Sequence, residues 1–541
     1  MPDDQPFTDL QHPTVNKASS SRPEPIVSLR GNPDVRFIAA INRRFKQKDY
    51  DGVISRSRQF LEKHPRSGLA HEIIGTAEFL QGNEAQALEA LSTATELESD
   101  QSGPWTKLGV IQMEAGEIET AKVSLEKAVA INPNDHFAHQ RLGLLYEFKN
   151  EPARAISHLE KGLKGTPIDY LGVSVNLARL YGATGQHNRA VEVLEPRLPM
   201  EASAPRAHLI LATAYLELEQ FEKAYQRFEQ AESLDPELRE ARLGMAISQR
   251  LTGNPDRSLA LLEPLVSRHP EWDKALAEKA KALLALDRVE QAESTFNDYI
   301  KAGGDRRYAL KRRARYHLDN DQPDKARALY RDLVERELAD ANVYAELSEL
   351  FMAEKAYKEG EAALRQGLEQ MPESVYLRLR LGSYLAALTR YDEAIPELER
   401  AHKLAPENPT VLRTLSLAQS RIGDTGAAAT SAGELHERVA NNDTAIFYAS
   451  RLQADGQDQK AIELYRRVLE DVSDNALVLN NLATLLADAG DLQEAERLAR
   501  KANSLVSDNP QLMDTLGSIL RQRGRHEEAT RLLERAASLA P

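Results

Sequence analysis

The chain has 541 residues, no cysteine, and 83 acidic against 69 basic residues, for a net charge of -14. The missing cysteines exclude a disulfide framework, thiolate catalysis and Cys-ligated zinc, and the negative balance disfavours nucleic acid and anionic membranes as bulk partners. Aromatic residues make up 6% and composition does not break along the chain, which fits one repeated unit better than several unlike domains.

In chain order, residues 1–33 come first, acidic at the start and rich in Pro and Ser. They lack the apolar run of a secretory signal and read as a disordered tail. No stretch approaches the roughly 18 uninterrupted apolar residues of a membrane helix. Cytoplasm is the expected location, with a periplasmic or membrane-peripheral one if the amino end is incomplete. From 34 to 541 one pattern restarts at 34, 68, 102, 136, 171, 205, 239, 273, 307, 341, 375, 409, 442, 476 and 510. The spacing is 34 residues except for one extra between 136 and 171 and one fewer between 409 and 442. Self-similarity at such a period marks a solenoid.

The unit at 102–135 is the clearest. Trp105, Leu108, Gly109 and Gln112 form one stripe of a helix, Gly116 breaks it, Ala121, Leu125 and Ala128 form the stripe of a second helix, and Pro133 closes the unit. Each unit is thus expected to be a helical hairpin. Its eighth position holds Gly, Ala or Ser in every unit but the first, from Gly75 to Gly517, and its twentieth does the same from Ala87 to Ala529. The first unit has Ile41 and Val53 there. Small residues recurring at one place on each helix predict a close helix–helix approach, where a large side chain costs about 1–3 kcal/mol by overpacking.

These residues resemble the tetratricopeptide repeat family, whose pattern is W-x2-L-G-x2-Y, A-x3-F and a terminal Pro. Trp105 supplies the tryptophan, and Tyr146, Tyr181 and Tyr215 supply the tyrosine. The resemblance implies an all-α, right-handed superhelical solenoid of about fifteen helix-turn-helix units, each contacting mainly its neighbours. It also implies that the first helices line a concave groove that binds peptides or extended protein segments.

Catalytic signatures are nearly absent. There is no Gly-rich phosphate loop, no G-x-S-x-G and no H-E-x-x-H, since the His-Glu pairs at 71, 436 and 526 lack the second histidine. Ser124 and Lys127 spell S-x-x-K without its companion motifs and read as a helix-surface pair. His136 and His139 share a helix face and could approach His158; packing or exposed histidines are expected there rather than metal ligands. No catalytic residue, metal or cofactor is therefore expected.

One core rule is broken. The seventh position is apolar through most units, but units eight and nine place Lys279 and Arg313 there. If positions two, five, nine and twelve face the groove, as the resemblance implies, Lys274, Lys281, Tyr308, Lys311 and Arg315 line it, and Arg179 and Arg206 extend the stripe toward the amino end. Such a strip inside an acidic chain focuses positive potential and suits an acidic or carboxylate-terminated peptide, and less well an anionic polysaccharide. The competing reading pairs these side chains with Glu278, Asp305 and Asp319. The basic run of Arg306, Arg307, Lys311, Arg312, Arg313 and Arg315 would suit phosphates, but without an aromatic ladder nucleic acid is not the expected partner.

At the carboxyl end the last helix carries Leu532, Leu533, Ala536 and Leu539 with no solvating helix after it, which is expected to be a tolerated edge or a truncation rather than an interface. Two classes of function follow. The first is a non-enzymatic scaffold, similar through 480–502 and 512–536 to long bacterial repeat proteins of envelope and exopolysaccharide assembly. The second is the substrate-recognition arm of a glycosyl- or sulfotransferase whose catalytic domain is absent from the chain, with Asn176, Asn480 and Asn481 as candidate groove asparagines.

Overall fold

The computed structural model describes residues 35–165, 171–199 and 202–539, so the expected tail at 1–33 lies outside it. Among the described residues there are thirty α-helices, one 3₁₀ turn at Glu195–Arg197 and no strand. The helices pair as hairpins. Gly68–Gln81 folds on Glu84–Leu97, Ser102–Glu114 on Ile118–Ile131, and so on to Pro510–Gln522 on His526–Leu539. Contacts divide the chain into two bodies, one up to Asp305 and one from Arg306.

Within a hairpin the packing follows from residue size. The small twentieth-position residues are buried throughout, Ala87, Ala121, Ala292 and Ala394 completely. The eighth position meets the twenty-fourth: a Cβ added to Gly109 would stand 2.6 Å from Cγ of Leu125, and one added to Gly382 2.6 Å from Cγ of Leu398. Real Cβ atoms do not come that close, so these glycines permit the approach of the two helices. In four of the units whose eighth residue is alanine, the twenty-fourth is Phe228, Phe296, Tyr330 or Tyr465, each at 2% exposure or less, and in the others it is Leu194, Leu262 or Ala499. In either arrangement the inner space of the hairpin is filled.

Both ends of each hairpin have a local cause. The residue before a first helix caps it: Ser67, Asp135, Ser374, Asn408, Asn475 and Asn509 each accept from a backbone N–H two or three residues on. A cap of this kind is worth about 1 kcal/mol. The turn between the two helices passes through one left-handed residue, the fifteenth of the unit. Gly82, Gly116, Gly253 and Gly490 occupy it, but so do Lys48, Asn150, Glu219, Asp287, Asp321, Lys355 and Thr389, all at φ between 54° and 61°. The backbone geometry there is set by the packing of the two helices and imposed even on residues that resist it.

Departures from regularity lie between hairpins. The missing residue of the 409–442 interval is taken from the link between Thr425–Arg438 and Asn442–Ala454, where Asn441 and Thr444 form a reciprocal capping box. In the fifth repeat the second helix stops at Leu194 and tightens into the 3₁₀ turn containing Pro196, whose ring removes an N–H from the ladder.

Thr389 at φ 61° carries a β-branched side chain in the left-handed region. Relief of that strain outweighs the extra freedom of glycine in the unfolded chain, so Thr389→Gly is expected to stabilise its hairpin by about 0.5–1 kcal/mol. Slower hydrogen exchange of Val375–Ala387 and Tyr391–Leu404 in the full chain checks this; unchanged or faster exchange would show the turn to be unstrained.

Candidate functional site

Within each body successive first helices pack on one another more closely than successive second helices do. Pro205–Glu217, for example, touches both Leu171–Ala183 and Arg239–Leu251, and Ala476–Asp488 touches Pro510–Gln522. Their outer face is the candidate binding surface.

In the first body, charged side chains tie that layer together. Lys107 of one first helix reaches Glu72 of the preceding one at 2.6 Å, and Arg179 pairs with Glu147. Arg250 Nε lies 3.1 Å from Glu278 Oε2, and Lys281 Nζ lies 2.7 Å from its other oxygen. Burial pushes the Glu278 carboxyl up, but Lys281 and Arg250 outweigh it and hold it below the usual range. Of the predicted strip, then, Arg179 and Lys281 are held by carboxylates of the same wall; Lys274 is half-buried and Arg206 is exposed. Lys279, at the apolar seventh position, is half-buried.

A second set of contacts joins the fourth, fifth and sixth hairpins each to the one before. The Tyr146 hydroxyl donates to Glu126 at 2.7 Å and the Tyr181 hydroxyl to Glu160 at 2.6 Å, and Tyr215 donates to Glu195 in the same way. A cation from the tyrosine's own hairpin lies over each ring: Arg154, Arg189 and Lys223, at 5.5, 4.5 and 5.2 Å. The motif tyrosine is therefore an inter-repeat latch. Burial, and then the hydrogen bond to Glu126, pushes the Tyr146 hydroxyl up to about 12.

The histidines do converge, but as a packed pair. His139 Nδ1 is 2.9 Å from His158 Nδ1, His139 Nε2 is 3.1 Å from the Pro133 carbonyl, and His136 Nδ1 is bound to the Lys161 carbonyl at 2.8 Å. No group of three metal-ligating side chains occurs among the described residues. Ser124 donates to Gln112 at 2.7 Å, and Lys127 Nζ lies 4.3 Å from the Trp105 ring centroid, so the S-x-x-K pair is used in packing.

In the second body Lys311 pairs with Asp340 at 2.9 Å, and Arg315, largely exposed, pairs with Asp319 one turn on at 3.1 Å. Asp340 also caps the next first helix; burial raises its carboxyl, but Lys311 and the Val343 N–H outweigh that and depress it. The Arg312 guanidinium lies 5.3 Å from the Tyr308 ring centroid, and Arg313 is half-buried. Farther along, the first-helix face becomes apolar. Tyr376, Leu417 and Leu477, at positions two and nine of their units, are 42%, 42% and 57% exposed. The sequence carries only their apolar character at positions two and nine of the unit, since exposure is set by the packing of neighbouring helices. Of Leu532, Leu533, Ala536 and Leu539 on the last helix, three are used internally: Leu532 joins the core, Leu533 fills the space beside Gly517, and Ala536 is buried. Only Leu539 among them is exposed.

Two outcomes follow for the first body. Lys281→Glu would set a second carboxylate against buried Glu278 and is expected to cost about 3 kcal/mol. Early hydrogen exchange of Asp273–Ala285 checks it, and unchanged exchange would show that the pair carries no structural load. His158 is pulled down to about 4 by burial and then by His139, and burial lowers His139 and His208 as well. The folded state therefore binds these protons less readily than the unfolded chain, and their share of stability, complete above pH 6.5, is lost as pH falls toward 4. Thermal melts should show that loss and a shallower one for His158→Gln; identical slopes would remove the histidine pair as its cause.

Tetratricopeptide repeat family models match residues 103–135, 215–278, 250–314, 311–375, 357–409, 379–443, 476–502 and 511–540, together more than half of the chain. Among curated proteins, the anaphase-promoting complex subunit CDC16 of Saccharomyces cerevisiae is 26% identical over 224 residues, 40% of this chain. The subunit cut9 of Schizosaccharomyces pombe is 24% identical over 173 residues, 30% of this chain. The chain spans about a quarter of the length of these relatives, 26% of each. Among solved structures, Naa15/Naa10 bound to HypK-THB aligns at a TM-score of 0.33 and 14% identity, covering 93% of either chain. The repeated helical hairpins, with their small residues at the eighth and twentieth positions, place this chain in the tetratricopeptide repeat family.

Proposed function

We propose that the chain is a non-enzymatic interaction scaffold that holds extended segments of partner proteins against its first-helix face. The observation that carries this reading is the composition of that face. Charged rungs such as Lys107–Glu72 and Arg250–Glu278 in the first body and Lys311–Asp340 in the second consume their charges internally, while Tyr376, Leu417 and Leu477 stand exposed on first helices of the second body. Exposed apolar side chains on an ion-paired frame suit a chain that supplies its own hydrogen-bond partners and needs pockets for side chains. The partial match to two subunits of a multiprotein complex supports the same level of description. Both relatives are yeast proteins, so the reading is set at scaffold and carries no bacterial envelope or exopolysaccharide assignment.

An acidic partner at the predicted strip belongs to the same reading. In the first body Arg206 is open to solvent, and in the second Arg315 is largely exposed though paired with Asp319, so within each body that residue is the one a ligand meets first. At Arg179, Lys281 and Lys311 a ligand carboxylate would have to displace Glu147, Glu278 or Asp340. That exchange gains little net energy.

Among the described residues no helix is long and apolar enough to cross a membrane. The test is site-specific photo-crosslinking in native extract, with the crosslinker at Leu417, Leu477 or Thr213 on first helices and at Glu399 or Arg497 on second helices. Partner adducts are expected at the first-helix positions. Adducts confined to the second helices would overturn the assignment of the binding face.

A further inference from the structure

Several half-buried cations of the first-helix layer meet a carboxylate. Lys107 has Glu72, Arg250 and Lys281 have Glu278, Lys311 has Asp340, and Arg378 has Glu397 at 2.6 Å. The reason is energetic, because a guanidinium or ammonium withdrawn from water without a counter-charge is costly. One place in the second body gathers cations without such a partner.

On Pro409–Arg421, Arg413, Leu417 and Arg421 recur at four-residue intervals and so share one stripe of the helix. All three are exposed. On the next first helix, Asn442–Ala454, Phe447 stands one turn before Arg451. The guanidinium carbons of Arg413 and Arg451 lie 4.8 and 4.9 Å from the centroid of the Phe447 ring, which gathers the two cations at one aromatic side chain. Arg451 is half-buried; its Nη1 donates to Ser420 Oγ at 3.1 Å, and its buried Nε has no hydrogen-bond partner.

No carboxylate among the described residues pairs with Arg413, Arg421 or Arg451. The acidic side chains nearby in sequence are used elsewhere or stand apart. Asp424 caps Thr425–Arg438, and Asp455 accepts from the Thr425 hydroxyl and the Gln457 amide, each at 2.7 Å. Asp443 is exposed and makes no ion pair among the described residues. Arg451 instead feels a like charge: burial lowers its guanidinium and Arg421 lowers it further. A chain of net charge -14 thus holds two arginines against one ring, with Arg421 on the stripe of Arg413, and leaves their charge uncompensated.

We propose that Arg413 and Arg451, gathered beside Phe447, form with Arg421 an anion subsite for an acidic or phosphorylated side chain of a bound partner segment, with Leu417 taking an adjacent aliphatic side chain. The site rests on the first-helix face as the binding face, but it lies in repeats twelve and thirteen, away from the strip first read in the sequence. Its geometry differs from the paired rungs in the respect that matters. A ligand carboxylate or phosphoryl group here displaces no internal partner, so its charge-assisted hydrogen bonds add to binding. Arg413 is open to solvent and receives the anion first, while half-buried Arg451, whose charge lies in a medium of lower dielectric, holds it more strongly.

The test uses the full-length chain and an immobilised library of short random peptides, one arm containing Asp and Glu and a second containing phosphoserine. The wild-type chain is expected to select peptides with an anionic residue beside Leu, Ile or Val; the arm with the stronger selection identifies the group as carboxylate or phosphoryl. Arg413→Gln and Arg451→Gln should each weaken the selected peptides by about tenfold and flatten the dependence of binding on salt. Arg531→Gln, an exposed cation of the last helix, should change neither. Arg413 is exposed, so its variant remains informative even where Arg451→Gln melts early. Selected peptides without an anionic preference, or bound equally by the variants, would overturn the anion subsite and leave the binding face standing. Retention of no peptide by the wild-type chain would overturn both.

Discussion

The structure depends on a size constraint repeated along the chain: the two helices of each hairpin approach until the eighth residue of one touches the twenty-fourth of the other. Gly109 against Leu125 and Gly382 against Leu398 leave no room for a Cβ. In four of the units whose eighth residue is alanine, an aromatic ring such as Phe228 or Tyr465 supplies the opposing surface. The separation of the helices then fixes the turn that joins them. That turn demands a left-handed fifteenth residue, and Thr389 or Glu219 accepts the strain because the packed helices leave it no alternative.

Between hairpins the ties are polar and local. Tyr146, Tyr181 and Tyr215 each reach one acid of the preceding hairpin, and Arg250 and Lys281 share one buried carboxylate. At the other end of the chain, Glu496 is bound by Arg500, Arg523 and Arg525 at 2.6–2.7 Å, joining the last two repeats. Since each tie spans neighbours only, stability accumulates by nearest-neighbour terms and a repeat can open without the whole array unfolding. The same ties decide which charges remain for a partner. Most cations of the first-helix layer are consumed in building it, which makes the unconsumed ones at Arg413, Arg421 and Arg451 informative.

The hairpins and their buried small residues were legible because they depend on spacing within a single unit, which a 34-residue period displays many times over. The charged strip was read less well. Lys281 and Arg179 have the residue type and register of ligand-binding cations, but their carboxylates, Glu278 and Glu147, lie on the same wall and neutralise them. Whether a lysine on a helix face is open or paired depends on side-chain reach across a helix–helix boundary, and periodicity carries no information about that. Leu533 was misleading for a similar reason: as the last leucine pair of the chain it looked uncovered, while Gly517 of its own hairpin receives it.

By itself the sequence determined the all-α class, the hairpin as the unit, the family, and the positions where helices must come close, because each of these is a local pattern of size and polarity. Only the tertiary structure decided which cations are spent on the wall and which stand without a counter-charge, since ion pairing is set by distances of a few ångströms between side chains some thirty residues apart, as for Lys311 and Asp340 or Arg250 and Glu278. It likewise decided that the turns of Thr389 and Glu219 are left-handed, because helix packing outweighs the intrinsic preference of those residues for negative φ.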